Sequence, residues 1–178
     1  MKILFLIGFM GSGKSTMGKQ IAKGLNWRFI DLDDYIEMKE DESITSIFGS
    51  YGEDGFRKME REALEEVVHL DKVVVATGGG VPCFYDNMEF MNSQGRTVYQ
   101  KLSPQELCKR LLPVRSTRPL ISNKSDEELL SYIKGKLSER EPFYNQAHII
   151  ADATASSVNP YLDILSTYIH HSKKDFDE

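Results

Sequence analysis

The hydrophobic and polar positions of the chain form short apolar blocks separated by longer amphipathic stretches. The first block, residues 2–7 (KILFLI), predicts a strand buried on both faces of a parallel sheet. The residues after it place Met17, Ile21 and Leu25 at helical spacing. Similar short blocks predict further strands at residues 27–30, 72–76, 97–101 and 148–151. Strands that alternate with helices predict βαβ units, and we expect one α/β domain over residues 1–178.

The helices between these strands differ in length. Residues 35–50 predict two short helices, and Ser43 is placed to cap one of them. An apolar stripe that starts at Glu53 predicts another helix, and a further one is expected near residues 84–94. Residues 125–128 (SDEE) form a capping-box sequence, which predicts the start of a helix.

A glycine-rich loop follows the first predicted strand. Residues 8–15 (GFMGSGKS) match the phosphate-binding pattern G-x-x-x-x-G-K-[ST]. Glycines permit backbone angles that let N–H groups approach an anion, here at the start of a helix. Lys14 can reach the β- and γ-phosphates, and the Ser15 hydroxyl is placed to ligate Mg²⁺. The pattern therefore predicts a binding site for a nucleoside triphosphate.

Composition narrows the class of protein. The net charge of −5 argues against nonspecific binding to nucleic acid or to membranes. No apolar run approaches the roughly 20 residues of a membrane span, and residues 2–7 lead into the glycine loop instead of a signal-peptide cleavage site. Cys83 and Cys108 lack metal-ligand spacing, as is typical of proteins from a reducing compartment. We expect a cytoplasmic monomer with a polar tail at about residues 170–178.

Two acidic residues follow the second predicted strand. Asp31 and Asp33 lie at the sheet edge where α/β proteins bind ligands. In extended chain their side chains point the same way, so one could help to hold Mg²⁺ while the other accepts a hydrogen bond from a substrate hydroxyl. The alternative is a strand-to-helix turn with Asp33 or Asp34 as N-cap, and the sequence leaves both open. Because the strand that ends at Ala76 carries no terminal aspartate, Asp31 is the preferred carboxylate near Mg²⁺.

Three glycines and two arginines extend the candidate site. Residues 78–80 (GGG) end a predicted strand, which favours close approach of the backbone to a ligand over a mobile turn. Arg57 either pairs with Glu53 on an exposed face or borders the apolar side of its helix. Arg140 lies on an inward stripe, where a guanidinium needs an anionic partner. The sequence leaves open whether that partner is a structural glutamate or a bound carboxylate or phosphate.

A basic stretch lies between residues 107 and 125, which contain five lysines and arginines and no acidic residue. In a phosphoryl-transfer enzyme such a stretch is typical of a lid that brings arginine to the γ-phosphate. Arg118 is the expected contact, and a solvated loop is the alternative.

Taken in order, the signatures of the chain closely resemble those of the shikimate kinase family. They are residues 8–16 (GFMGSGKST), 29–37 (FIDLDDYIE), 52–60 (GE, then FRKME), 77–80 (TGGG), 118–120 (RPL) and 140–144 (REPFY). Other small P-loop kinases share the first signature, whereas the combination is much more specific. The resemblance implies a nucleoside-monophosphate-kinase-like, three-layer α/β/α fold with a five-stranded parallel sheet. It also implies a substrate-binding region near residues 32–61 and a lid near residues 112–124.

The resemblance implies transfer of the γ-phosphoryl group of ATP to the 3-hydroxyl of shikimate, a step of aromatic amino-acid biosynthesis. By position, the implied nucleotide-binding residues are Gly11, Ser12, Gly13, Lys14, Ser15, Thr16, Arg110 and Arg118. The implied substrate-binding residues are Asp33, Arg57, Gly78, Gly79, Gly80 and Arg140. Ser15 and Asp31 would hold Mg²⁺, and the implied catalytic residues are Lys14, Asp33 and Arg118.

The chain departs from the pattern of the family at one place. Family members often carry a basic residue before the last helix on the adenine side, but residues 153–160 hold none, so adenine packing would rest on Arg110 and backbone.

The glycine loop also leaves two rival functions. One is a kinase for another small hydroxylated acid, such as gluconate, or for a nucleoside monophosphate. The other is a nucleotide-dependent switch or an inactive binding module. The chain has no D-x-x-G motif, which argues against the switch.

Overall fold

The structure, a computed structural model, describes residues 2–117 and 120–154. Its strands are β1 (Ile3–Ile7), β2 (Arg28–Asp31), β3 (Val73–Ala76), β4 (Arg96–Lys101) and β5 (Ile149–Asp152). Its α-helices are α1 (Lys14–Leu25), α2 (Leu32–Glu40), α3 (Ile44–Val67), α4 (Asn87–Gln94), α5 (Pro104–Leu111) and α6 (Asp126–Tyr144), and 3₁₀ helices span Val81–Cys83 and Leu112–Thr117. Arg118 and the tail predicted at residues 170–178 lie outside the described residues.

The strands form one parallel sheet in the order β2-β3-β1-β4-β5. All five residues of β1 are buried, which is why its sequence is continuously apolar. Phe5 and Ile7 belong to the hydrophobic core on one face, whereas Leu4 and Leu6 pack with Ile21 of α1 in the core on the other. The predicted α/β fold with a five-stranded parallel sheet is confirmed.

Two predicted helix starts are confirmed, and so is the division of residues 35–50 into two short helices. Ser43 caps α3, and Ser125 forms a capping box with Glu128 at the start of α6. The two short helices predicted within residues 35–50 are α2, which begins slightly earlier at Leu32, and the part of α3 that precedes Gly52. Gly52 interrupts α3 with φ 68° and ψ −174°, and the apolar stripe that starts at Glu53 is the part of α3 after this break.

The sheet order determines where a ligand can bind. The loops after β3 and β4 leave the sheet on either side of β1, so the loop after β1 lies between them. In open α/β sheets this switch point is the usual ligand crevice. Within the described ranges no helix is both long and apolar enough to cross a membrane.

Gly95, which links α4 to β4, packs closely against the start of β1 and provides a test of that contact. A Cβ atom at Gly95 would lie 2.6 Å from the carbonyl oxygen of Ile3 and 3.1 Å from its Cβ atom, so the start of β1 would have to move. We expect Gly95→Ala to lower the free energy of unfolding by about 1–3 kcal/mol in urea titrations. Gly135 is the control, because it is exposed in α6 and a Cβ there meets no described atom within 4 Å. Gly135→Ala should stabilise by about 0.5–1 kcal/mol, and equal effects of the two variants would contradict the packing.

Candidate active site

A cleft of about 480 Å³, here called the main cleft, opens at the switch point of the sheet. Predicted site residues that line it are Gly11, Gly13, Lys14, Ser15, Thr16, Asp31, Asp33, Gly78, Gly79 and Arg110. Four other predicted site residues that the structure describes do not line it: Ser12, Arg57, Gly80 and Arg140. Ser12 lines a neighbouring pocket, and contacts described below connect the other three to the main cleft.

The loop between β1 and α1 has the backbone shape that its glycines allow. Gly11 and Gly13 have φ angles of 80° and 92°, in the left-handed region that favours glycine. Gly13 is the N-cap of α1 and contributes no side-chain cap, so the first N–H groups of the helix are not capped by it. The loop therefore provides the backbone arrangement of an anion site at a helix N-terminus.

Lys14 is buried in this loop. Its Nζ donates hydrogen bonds to the carbonyl oxygens of Gly8 and Phe9, each at 2.9 Å. The ammonium group is thus held at the wall of the main cleft by the loop itself. Contact of Lys14 with the β- and γ-phosphates stays a prediction.

Ser15 and Asp31 bring two oxygen ligands together at the main cleft. The Ser15 hydroxyl donates to Oδ2 of Asp31 at 2.5 Å. A hydroxyl and a carboxylate suit Mg²⁺, which takes one or two carboxylates together with phosphate oxygens and water. In the described part of the chain no three His, Cys, Asp or Glu side chains group as a metal site. The pair therefore fits a cation that a bound phosphate chain would help to hold.

The turn after β2 differs in detail from its prediction. Asp31 is the N-cap of α2 and accepts a hydrogen bond from the Asp33 backbone N–H at 3.2 Å, so neither Asp33 nor Asp34 is the cap. Asp33 lies in the first helical turn, and the extended-chain reason for its common direction with Asp31 is wrong. The helix start nevertheless places both carboxylates at the main cleft.

Asp33 is a half-buried residue whose carboxylate charge is poorly compensated. Its Oδ1 has no hydrogen-bond partner within residues 2–117 and 120–154. Burial, followed by the charge of Asp31, raises the pKa of Asp33 to about 6, while Lys14 acts in the opposite direction. A carboxylate in this state is suited to accept a proton near neutral pH.

Arg57 is buried and paired with two glutamates. Its guanidinium bonds to Glu60 at 2.6 Å and to Glu53 at 2.9 Å, and lies 4.2 Å from the centre of the Phe84 ring. The Glu53 pair exists as the sequence suggested, but only Glu53 is exposed, and Arg57 lies on the buried side of the helix. Only 1% of Glu60 is exposed. Burial raises the pKa of Glu60 to about 7, and Arg57 opposes this effect.

Arg140 approaches the same place from α6. Its guanidinium lies 5.5 Å from the centre of the Phe9 ring. The charge of Arg140 also lowers the pKa of Glu60, after the larger effects of burial and Arg57. Two guanidinium groups on different helices therefore act on one buried carboxyl group.

The glycine run brings these charges to the main cleft. A Cβ atom at Gly80 would lie 2.7 Å from Nη1 of Arg57, and one at Gly79 would lie 3.3 Å from Nη1 of Arg140. A Cβ atom at Gly78 would lie 2.9 Å from Asp33 Oδ1. The absence of side chains thus leaves room for the charged groups. Close approach of this backbone to a ligand stays a prediction.

Glu60 and Tyr144 lie within two of the family signatures, but the sequence pattern alone predicted no role for either residue. The Tyr144 hydroxyl donates a hydrogen bond to the carbonyl oxygen of Gly79. Spacing could have indicated both residues, because Glu60 is one helical turn after Arg57 and Tyr144 is one turn after Arg140. Each lies where it can support the arginine or the glycine run.

A second pocket of about 250 Å³, here called the side pocket, adjoins the main cleft and shares Gly13, Thr16 and Arg110 with it. Arg110 spans its edge, where its guanidinium donates to the carbonyl oxygens of Ala153 at 3.0 Å and Ser12 at 3.5 Å. The side pocket extends the main cleft beyond the glycine loop that follows β1.

Comparison with known proteins now identifies the family. A family model described as shikimate kinase matches residues 10–170. This chain belongs to the shikimate kinase family. A shikimate kinase from Parabacteroides distasonis is 50% identical over 153 residues, which are 86% of this chain and 88% of that protein.

Solved shikimate kinases share the fold over nearly the whole chain. The crystal structure of shikimate kinase from Bacteroides thetaiotaomicron has a TM-score of 0.88 and 44% identity, covering 93% of this chain and 98% of that one. Shikimate kinase from Acinetobacter baumannii in complex with shikimate has a TM-score of 0.82 and 30% identity, covering 97% of this chain and 95% of that one. The P-loop kinase resemblance and the kinase class are confirmed.

The raised pKa of Asp33 predicts that the ionised Asp33 side chain lowers the stability of the folded protein. The pKa of Asp33 is about 6 in the folded state and 3.8 ordinarily, so the protonated side chain favours the folded state. This contribution to stability is fully present below pH 3.8 and is lost as the pH rises through 6. We expect Asp33→Asn to raise the free energy of unfolding by about 1–2 kcal/mol at neutral pH and by little at about pH 4.

Urea unfolding across this pH range measures the effect. Asp34→Asn is the matched control, because Asp34 is exposed in the same helical turn and should change stability little. A stability of Asp33→Asn that equals that of the parent protein at neutral pH would contradict the burial cost.

Proposed function

We propose that this protein transfers the γ-phosphoryl group of ATP to the 3-hydroxyl of shikimate, giving shikimate 3-phosphate and ADP, with Mg²⁺ as cofactor. The observation that carries the proposal is the meeting of Arg57, Arg140 and Asp33 at one glycine run beside the phosphate loop. A small ring acid with several hydroxyl groups needs guanidinium groups for its carboxylate and a carboxylate for its hydroxyls. The solved relative in complex with shikimate supports the same acceptor.

The loop after β1 receives the phosphates of ATP in this proposal. Backbone N–H groups of Gly11, Ser12 and Gly13, together with the start of α1, bind the phosphate oxygens. Lys14 exchanges the carbonyl oxygens of its own loop for the β- and γ-phosphates as negative charge moves during transfer. Thr16 and Arg110, which lie on both the main cleft and the side pocket, contact the remainder of the nucleotide. Arg118 adds a further cation from the lid.

Ser15 and Asp31 would hold the Mg²⁺ ion. When bound there, Mg²⁺ would supply positive charge against the negative charge of the phosphates. Asp31 is fixed for this role because it also caps α2 through the Asp33 N–H.

On the acceptor side, Asp33 takes the proton of the attacking hydroxyl. A base works best when its pKa is close to the operating pH, and burial has moved the pKa of Asp33 to about 6. Arg57 and Arg140 bind the shikimate carboxylate, with Glu60 orienting Arg57. The backbone of residues 78–80 forms the floor beneath the ring.

The remaining expectations concern organisation. We propose a single kinase domain with a substrate-binding region at about residues 32–61 and a lid at about residues 112–124. The net charge of −5 supports an enzyme without nucleic-acid or membrane partners, and we propose that it works as a cytoplasmic monomer.

A coupled assay of ADP release tests the function directly. The parent protein with ATP, Mg²⁺ and shikimate should turn over, whereas gluconate and nucleoside monophosphates should give background rates. Turnover with one of those acceptors and none with shikimate would replace the proposed acceptor. Tight ATP binding without turnover of any acceptor would indicate a binding module.

Arg57→Lys tests the carboxylate contact. Lysine keeps the charge beside Glu60 but loses the planar fork, so we expect the KM for shikimate to rise about tenfold or more while the KM for ATP changes little. The matched control is Arg61→Lys, since Arg61 lies one turn further along α3 and pairs with Glu65 and Asp86. A larger effect on ATP than on shikimate would contradict this role of Arg57.

Tyr144→Phe tests the support of the glycine run. The variant keeps the ring but loses the hydrogen bond to the Gly79 carbonyl, and we expect the KM for shikimate to rise about three- to tenfold with the KM for ATP unchanged. Tyr99→Phe is the control, because the Tyr99 ring packs on Tyr144 at 5.0 Å while its hydroxyl interacts with Glu141 instead of the glycine run. If both variants raise the KM equally, Tyr144 acts only through core packing.

A further inference from the structure

Gln100 in β4 is a buried amide that the fold does not satisfy. Only 1% of this residue is exposed. Its Nε2 has no hydrogen-bond partner among the residues that the structure describes. Roughly 90% or more of the buried polar groups in native proteins are hydrogen-bonded, so an unpartnered buried amide calls for a physical reason.

The position of Gln100 supplies that reason. Gln100 lines the side pocket together with Gly13, Thr16, Arg110 and Ala153. It is not among the residues that line the main cleft, where Lys14 lies. The amide therefore belongs to the part of the crevice beyond the phosphate loop.

The surroundings of Gln100 limit where its side chain can go. Successive residues of a strand alternate between its faces, so Tyr99 enters the core with Phe5 while Gln100 lies on the α1 side. A Cβ atom at Gly8 would lie 2.9 Å from the Gln100 carbonyl oxygen, which shows how closely the loop covers this strand. The side-chain Oε1 lies 4.0 Å from the corresponding position at Gly13. The amide is thus enclosed between β4 and the loop.

A second polar atom of the side pocket is in the same state. The Ser12 hydroxyl is also buried and has no partner within residues 2–117 and 120–154. Ser12 lines the side pocket as Gln100 does. Two unsatisfied polar atoms in one pocket are what a site for a polar ligand provides.

We propose that Gln100 is a nucleotide-binding residue whose side-chain amide donates a hydrogen bond to the nucleoside part of bound ATP. The inference rests on the proposed function, because it takes the loop after β1 as the phosphate site. With the phosphates at Lys14, the nucleoside is the part of ATP that reaches the side pocket. The side chains proposed to bind the acceptor meet at the glycine run after β3, on the other side of β1, so the acceptor does not reach Gln100.

The test uses the full chain and two variants without the amide, Gln100→Leu and Gln100→Met. Calorimetry measures the Kd of ADP and of tripolyphosphate, a probe that has no nucleoside. We expect the Kd of ADP to rise about three- to tenfold in both variants, with the Kd of tripolyphosphate unchanged. The KM for shikimate should also stay unchanged.

A stability measurement separates this role from a structural one. Because an apolar side chain of similar size removes an unsatisfied buried amide, the ligand-free Gln100→Leu variant should melt at the same temperature as the parent protein or higher. Unchanged ADP affinity in both variants, equal losses for ADP and tripolyphosphate, or unfolding of both variants would each overturn the inference. A parent protein that binds tripolyphosphate but not ADP would also overturn it. Binding of neither ligand by the parent protein would overturn the proposed function and this inference together.

Discussion

Four charged side chains must come close together in the active site without cancelling one another, and the rest of the site depends on how this is achieved. Arg57 and Glu60 form a buried ion pair, and Arg140 adds a second positive charge nearby. Asp33 meets the same glycine run but lacks a hydrogen-bond partner for Oδ1 within the described ranges. Glu60 compensates an arginine, whereas no ion pair with an arginine or lysine is described for Asp33. Because residues 78–80 carry no side chains, the backbone can separate these groups at close range.

The same site shows what the fold gives up for function. A carboxylate with a raised pKa and a buried amide without a partner both lower stability, and neither is needed to build the sheet. Buried polar groups that break the usual rules occur mainly where a ligand completes them. In this protein both lie at the crevice beside the loop after β1, while the sheet beneath is continuously apolar.

Local sequence rules predicted most of the architecture. The glycine loop, the strand blocks and the caps at Ser43 and Ser125 depend on neighbouring residues, and the structure contains each of them. The resumption of the helix directly after Gly52 was not predictable in the same way, because a glycine can equally end a helix or interrupt one. The burial of Glu60 and Gln100 was missed because it depends on strands that are distant in sequence. The chemical role of each site residue likewise rests on partners that no local pattern specifies.

The position of β1 between β3 and β4 has a consequence for how this enzyme can change. The groups proposed to recognise the acceptor gather at the loop after β3, whereas the side pocket is lined by β4, α5 and the segment that follows β5, together with the loop after β1 and α1. The loop after β1 lies between the two sets of contacts, and in the proposed function it holds the phosphate chain that both halves of the reaction share. Selection can therefore alter the preference for one co-substrate by substitutions on one flank while the preference for the other is conserved.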